Sequence, residues 1–189
     1  MEIKNLEIRL LLVIIVRQTM NIIGKNVKIR DLAASDLEQF SELVQDKNNH
    51  ELSGLEYSID QAFIKQLLDM YIRRDSAFAI SLIEDNKMIG IIELNKRGES
   101  EELILTREIG FVVDRKYRKN GYAQEAVKLL SDYGFDELHL TEIWASTEEN
   151  NLAPQKLLEK LKFEYIYEAN QSLPFAEQSN IVKYYLLTK

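Results

Sequence analysis

The run Arg118-Lys119-Asn120-Gly121-Tyr122-Ala123 sets two basic side chains and a glycine between an apolar stretch, Ile109 to Val113, and an amphipathic one, Gln124 to Tyr133. A strand, a short basic turn and a helix in that order make an anion site. The first amides of a helix have no partner within it and carry partial positive charge, so phosphate oxygens can rest on them. Gly121 lets the main chain come close to such an anion, and Arg118 and Lys119 add mobile positive charge. The expected guest is a phosphate or pyrophosphate; a solvated basic connection is the plainer reading of the same residues. Neither G-x-x-x-x-G-K-[ST] nor a G-x-G-x-x-G after a strand occurs, so the two common nucleotide loops are excluded.

What the chain lacks narrows the chemistry further. It has no cysteine, which removes disulfides, thiolate nucleophiles and Cys-based zinc sites and fits a reducing cytoplasm. Its two histidines, His50 and His139, stand far apart in the sequence, against a His-rich metal site. A net charge of −7 argues against a broad nucleic-acid surface and suits the attraction of cationic amines. The 189 residues fit one domain of about 100–200 residues, with ordinary soluble composition.

Val113-Asp114-Arg115-Lys116-Tyr117-Arg118-Lys119-Asn120-Gly121-Tyr122-Ala123 resembles the acetyl-coenzyme A signature of the GNAT N-acetyltransferases, with its [RQ]-x-x-G-x-[GA] core. Arg107-Glu108-Ile109-Gly110-Phe111 is similar to that family's fourth strand. Asn151, with Pro154 to Phe163, resembles its N-x-x-S-x-x-x-L-E-K-x-G-F segment. The likeness runs from about Val27 to the C-terminus, closest to the RimJ/RimL-type ribosomal-protein branch and the related polyamine acetyltransferases.

The resemblance implies an α/β (α+β) GNAT fold: a mixed, mostly antiparallel sheet splayed between the fourth and fifth strands, with helices on both faces. It implies a cytoplasmic enzyme, monomer or homodimer, using acetyl-CoA as co-substrate with no metal, nucleic acid or membrane partner. The acceptor is a protein N-terminal amine, or alternatively a polyamine, aminoglycoside or other small amine. A non-catalytic acyl-CoA sensor is the rival of another class. Phe111, Val112 and Val113 would meet the acetyl-pantetheine end through their amides. Arg118, Lys119, Asn120, Gly121, Tyr122 and Ala123 would hold the pyrophosphate, and Asn151 the pantetheine arm or the helix N-terminus. Glu108 is the expected base, aided by a pKa raised through partial burial; a strand glutamate paired with Arg107 or a lysine is its plainer role. Glu93 is the second choice. Relatives often carry an acid tyrosine where this chain has Leu158, so Ser146, Thr147 or solvent would replace it. Without a cysteine nucleophile, transfer would be direct in a ternary complex.

The elements that position these residues follow from period and punctuation. Val27 to Arg30, Phe78 to Ile83, Met88 to Leu94, Leu103 to Val113, Leu140 to Thr147, Phe163 to Tyr167 and Ile181 to Leu187 read as strands. Ser35 with Glu38 and Ser58 with Gln61 read as capping boxes, the second opening a helix whose face carries Ile59, Phe63, Leu67 and Tyr71. Residues 46–57 read as a loop. Gly110 suggests a bulge or close approach within its strand, Gly134 a helix end, Pro154 a helix start and Trp144 a core position. The charged runs 99–102 and 148–149 read as solvated loops, and a polar loop surrounds Pro174. Residues 1–26 read as an extension ahead of a domain at 27–189. Met20 offers a natural start, and the seven aliphatics Leu10 to Val16 fall far short of the ~20 residues that span a bilayer. These first residues are expected to be an upstream-initiated extension or an added strand or helix.

Overall fold

The computed structural model describes residues 19–171 and 180–189. The Leu10–Val16 run and the loop around Pro174 lie outside them. Among the described residues eight strands form one sheet: β1 (Asn21–Ile23), β2 (Val27–Asp31), β3 (Ala77–Leu82), β4 (Met88–Lys96), β5 (Thr106–Val113), β6 (Glu142–Glu148), β7 (Glu164–Asn170) and β8 (Ile181–Thr188). Their spatial order is β1-β2-β3-β4-β5-β6-β8-β7. Every neighbouring pair is antiparallel except β5 and β6.

Alternation along the strands divides the core in two. Phe78 and Ile80 join Ile109, Val113, Ala126, Val127 and Leu130 under α4 (Tyr122–Asp136) and α5 (Leu152–Lys160). Ala77, Ala79 and Ile91 face the other way, toward Phe40, Leu43, Ile64, Leu68 and Tyr71 of α1 (Leu37–Val44) and α3 (Gln61–Arg73). A strand with apolar residues on both sides is what a sheet sandwiched between helix layers requires.

Several local expectations change. Residues 46–57 contain a helix, α2 (Lys47–Ser53), capped by Asp46 Oδ1 accepting from Asn48 N–H at 2.9 Å and closed by Gly54 at φ 69°. Its polarity hides it, since Asn49 is its one buried residue. The cap of α3 is Asp60, which accepts from Ala62 and Phe63, while Ser58 accepts from Asp60 itself. The buried face of α3 is Ile64, Leu67, Leu68 and Tyr71; Ile59 and Phe63 are exposed. A 3-10 turn (Ala34–Asp36) replaces the first capping box, and Asp36 accepts from Ala33 N–H and pairs with Arg30 at 2.7 Å. Residues 103–105 form a turn before β5. Gly134 lies buried inside α4, where an added Cβ would press Leu140 and Ile143 at 3.0 and 3.1 Å, so tight packing explains it.

Candidate active site

Pairing between β5 and β6 ends at Glu108 and Trp144; beyond them the strands part. The splay falls between the fifth and sixth strands because Asn21–Ile23 counts as one. No bulge causes it: the β4–β5 ladder runs unbroken through Gly110, which lies opposite Glu93. The helices α4 and α5, which follow β5 and β6, pack on one face of the parted sheet.

The parting frees main-chain groups in a fixed pattern. Asp114 N–H donates to Ile89 O at 2.9 Å, so by antiparallel alternation the amides of Glu108, Gly110 and Val112 point to β4. Those of Phe111 and Val113 point into the opening. On β6, Glu149 N–H donates to Ile181 O, which by the same alternation turns the peptide groups of Ser146 toward β5. Val112 therefore offers the cleft its side chain, since its amide belongs to the ladder. Thr147 Oγ1 is buried without a hydrogen-bond partner among the described residues and lies on the cleft wall.

The mouth of the parting is the basic turn. A 3-10 turn (Arg115–Tyr117), capped by Asp114 Oδ1 on Lys116 N–H at 2.8 Å, leads to Gly121 at φ 81° and into α4. Only glycine takes that conformation cheaply, and a Cβ there would meet nothing within 4 Å, so the restriction is purely conformational. Among the described residues, the N–H groups of Lys119 to Gln124 donate to no protein acceptor; the first helical bond is Glu125 N–H to Gly121 O at 3.0 Å. Arg118 is not mobile. Its Nε donates to Val113 O at 2.9 Å, and its guanidinium reaches Asn48 Oδ1 at 3.3 Å and Asn49 Oδ1, which fastens the turn to α2. Lys119, at φ 65°, and Asn120 remain exposed, and Asn120 Nδ2 closes the turn on Tyr117 O at 3.2 Å. Tyr122 and Ala123 pack against the core at the helix start.

Behind the turn lies a cleft of about 940 Å³, near the top of the ~300–1,000 Å³ range of ligand pockets. Gly121, Tyr122, Phe111, Val113, Asn151 and Glu108 all line it. Asn151 is the residue before α5, but its side chain donates to Leu52 O at 3.1 Å and caps no helix amide. Leu158 is buried in the core, so no ionisable group occupies its place.

On the α1–α3 side, Ser146 Oγ donates to Glu108 Oε1 at 2.6 Å across the parting. Among the described residues neither Arg107 nor a lysine pairs with that carboxylate; the Arg107 guanidinium donates to Ile104 O and Thr106 O. Tyr184, opposite Ser146 on β8, stacks on Tyr167 at 4.6 Å, and burial, then Tyr167 and the charge of Glu108, raise its phenol pKa. Glu93 pairs with Arg74 at 3.3 Å, and burial raises its pKa against the opposing pull of Arg74 and Asn95. Trp144 is not in the core: half-buried, it donates to Glu142 Oε2 at 2.8 Å and carries the Arg97 guanidinium at 4.2 Å on its ring. Tyr184, Asn49 and Asn95 were invisible as site residues because only strand register and helix placement bring them here.

A sheet parted at its one parallel junction, with an amide-lined turn at the mouth, defines an acyl-transfer fold. The acetyltransferase (GNAT) domain model matches residues 26–164, and the chain belongs to that family. It is 26% identical over 148 residues to the uncharacterized N-acetyltransferase YnaD of Bacillus subtilis (strain 168), covering 75% of this chain and 81% of the relative. The acetyltransferase (GNAT family) of Bacillus anthracis superposes with a TM-score of 0.78 at 24% identity, over 89% of this chain and 98% of that one. RimL, a ribosomal L7/L12 alpha-N-protein acetyltransferase, shares the fold with a TM-score of 0.73 at 15% identity, over 91% and 96%. The chain is an N-acetyltransferase, and acetyl-CoA is the co-substrate of its family.

Proposed function

We propose that the enzyme moves the acetyl group of acetyl-CoA to a protein N-terminal amine, directly, within a ternary complex. The observation that carries this is the row of uncommitted amides from Lys119 to Gln124, opening onto the same cleft as Glu108. Those amides, with the helix end behind them, suit a diphosphate. The inward groups of Phe111, Val113 and Ser146 and the orphan Thr147 hydroxyl suit an extended arm with amides of its own.

Acetyl-CoA supplies the thioester; the residues supply placement and proton traffic. The N–H of Phe111 or Val113 donates to the acetyl oxygen, where negative charge develops as the amine adds. Glu108 takes the proton from the acceptor's ammonium, directly or through water, and Ser146 holds the carboxylate in position. As the new C–N bond forms and the C–S bond breaks, the departing sulfur takes a proton from solvent or a hydroxyl of the cleft wall. The likeness to RimL favours a protein N-terminus, and the open face beside Trp144 and Tyr184 gives a peptide room to leave the site. In this reading residues 27–189 are the catalytic domain, working in the cytoplasm; among the described residues no helix is long and apolar enough to cross a membrane.

An acetyl-CoA consumption screen against free-N-terminal peptides, polyamines and aminoglycosides tests the proposal. Peptide turnover at least tenfold above the small amines is expected. Coenzyme binding with no turnover of any acceptor would overturn it in favour of a sensor.

A further inference from the structure

A second, smaller pocket of about 90 Å³ opens from the acceptor side of the cleft. Ser53 at the end of α2, Leu55 beyond it, Tyr71 of α3, Glu93 of β4, and Gly110 and Val112 of β5 enclose it. Ser53, Gly110, Phe111 and Val112 also line the main cleft, so the two spaces share a wall. Gly110 is the doorway in that wall: an ideal Cβ there would meet nothing within 4 Å, and its backbone is ordinary extended strand. Directly across the ladder stands Glu93, and two residues along β5, on the same face, stands Glu108.

We infer that this pocket is the acceptor subsite for a second hydrogen-bond donor, a hydroxyl or amino group carried on a short spacer from the amine that is acetylated, with Glu93 as its partner. The inference rests on the proposed acetyl transfer and deepens it. An ionised carboxylate only accepts, so a half-buried Glu93 selects a donor. Arg74 engages Oε1 at 3.3 Å and Asn95 also hydrogen-bonds the carboxylate, whose two oxygens together keep lone pairs for a guest. Glu108 and Glu93 sit on diagonal cross-strand positions, about 7–8 Å apart at the backbone. A spacer of a few atoms therefore lets one molecule place its amine at Glu108 and its second donor at Glu93. Size sets the other limit. The pocket is smaller than the ~150 Å³ cavity that accepts benzene, so an aromatic side chain does not enter.

Two sources carry this chemistry, a peptide beginning with a short hydroxylated residue and a short diamine. Calorimetry on the full chain saturated with coenzyme A separates them, using a seryl against an alanyl tetrapeptide and 1,3-diaminopropane against propylamine. In at least one pair the donor-bearing probe should bind at least about tenfold tighter, because a site built around a buried polar group rejects the analogue that lacks its partner. The winning pair names the source. Glu93→Ala should cut the preference below about threefold and leave coenzyme affinity unchanged. Gly110→Val, which fills the doorway without straining the strand, should weaken the same probe. Equal affinities within both wild-type pairs, no binding of any probe, a preference that survives both substitutions, or equal binding of a phenylalanyl peptide would each overturn the subsite. Binding as expected without acetyl-CoA consumption would overturn the proposed transfer and leave the subsite standing.

Discussion

The two sides of the parted sheet offer different parts of the chain to a ligand. At the mouth, under α4, the contacts offered are main-chain amides from Lys119 to Gln124, and the residue identity they depend on is Gly121. On the side of α1 to α3, the offered groups are side chains: Glu93, Glu108, Ser146 and Tyr184, delivered by four different strands. A main-chain site tolerates substitution wherever the backbone path survives. A side-chain site changes its guest with one residue. The fold can thus keep one co-substrate while the acceptor varies, which is why a family match names the carrier more firmly than the recipient.

The contrast breaks most sharply at Gly121. Gly121→Arg forces an L side chain into φ 81°, a strain of about 1–2 kcal/mol, which for a chain this size lowers Tm by several degrees. The protein should still fold, because the new side chain meets open space. Coenzyme A affinity should fall at least ~100-fold by calorimetry, equivalent to about 2.7 kcal/mol. Affinity within threefold of wild type would mean that the amides hold nothing.

Glu108→Gln tests the other side. It removes the proposed base and leaves the shape, so kcat/KM for the acceptor should drop ~100- to 10,000-fold while coenzyme affinity stays put. Ser146→Ala, which loses only the 2.6 Å bond to that carboxylate, should cost about tenfold in kcat, within the range expected when a group's orientation loosens. If either variant lost the coenzyme as well, the two halves would not be separate sites.

The same division explains what could be read from the residues. A main-chain site leaves a local signature, so the turn from Arg118 to Ala123 was legible, and the resemblance supplied the fold and the splay and named Glu108, which lines the cleft. The helix α2 escaped because its seven residues bury only Asn49 and carry no apolar stripe. Both proposed capping boxes gave way to an aspartate one or two residues further on: Asp36 ties back to Ala33 N–H and Arg30, and Asp60, not Ser58, caps α3. Trp144 was placed in the core because tryptophan usually is, whereas β6 turns it to a face that no helix covers among the described residues. Tyr184 needed the β6–β8 register, and Arg118 needed α2, before either had a partner. Contacts between residues far apart in sequence have no local trace.

A third glutamate marks the boundary of the comparison, since it serves neither site. Glu125, in the first turn of α4, reaches back to the chain between β1 and β2 and accepts from the N–H groups of Lys25, Asn26 and Val27 and from Asn26 Nδ2. Burial pushes its pKa up, but those hydrogen bonds outweigh it and the net shift is below the ordinary value of 4.5. A depressed pKa means that the carboxylate's contribution is fully present above about pH 4.5 and is lost as pH falls through the folded-state value. Glu125→Gln should therefore lower Tm at pH 7 by about 2–4 °C, as expected for roughly 1 kcal/mol in a chain of this length. The deficit should shrink toward pH 3, where the wild-type carboxyl is itself protonated, and coenzyme affinity at pH 7 should be unaltered. A deficit that is constant with pH would assign the effect to shape, and a lost coenzyme affinity would extend the cofactor site one turn into α4.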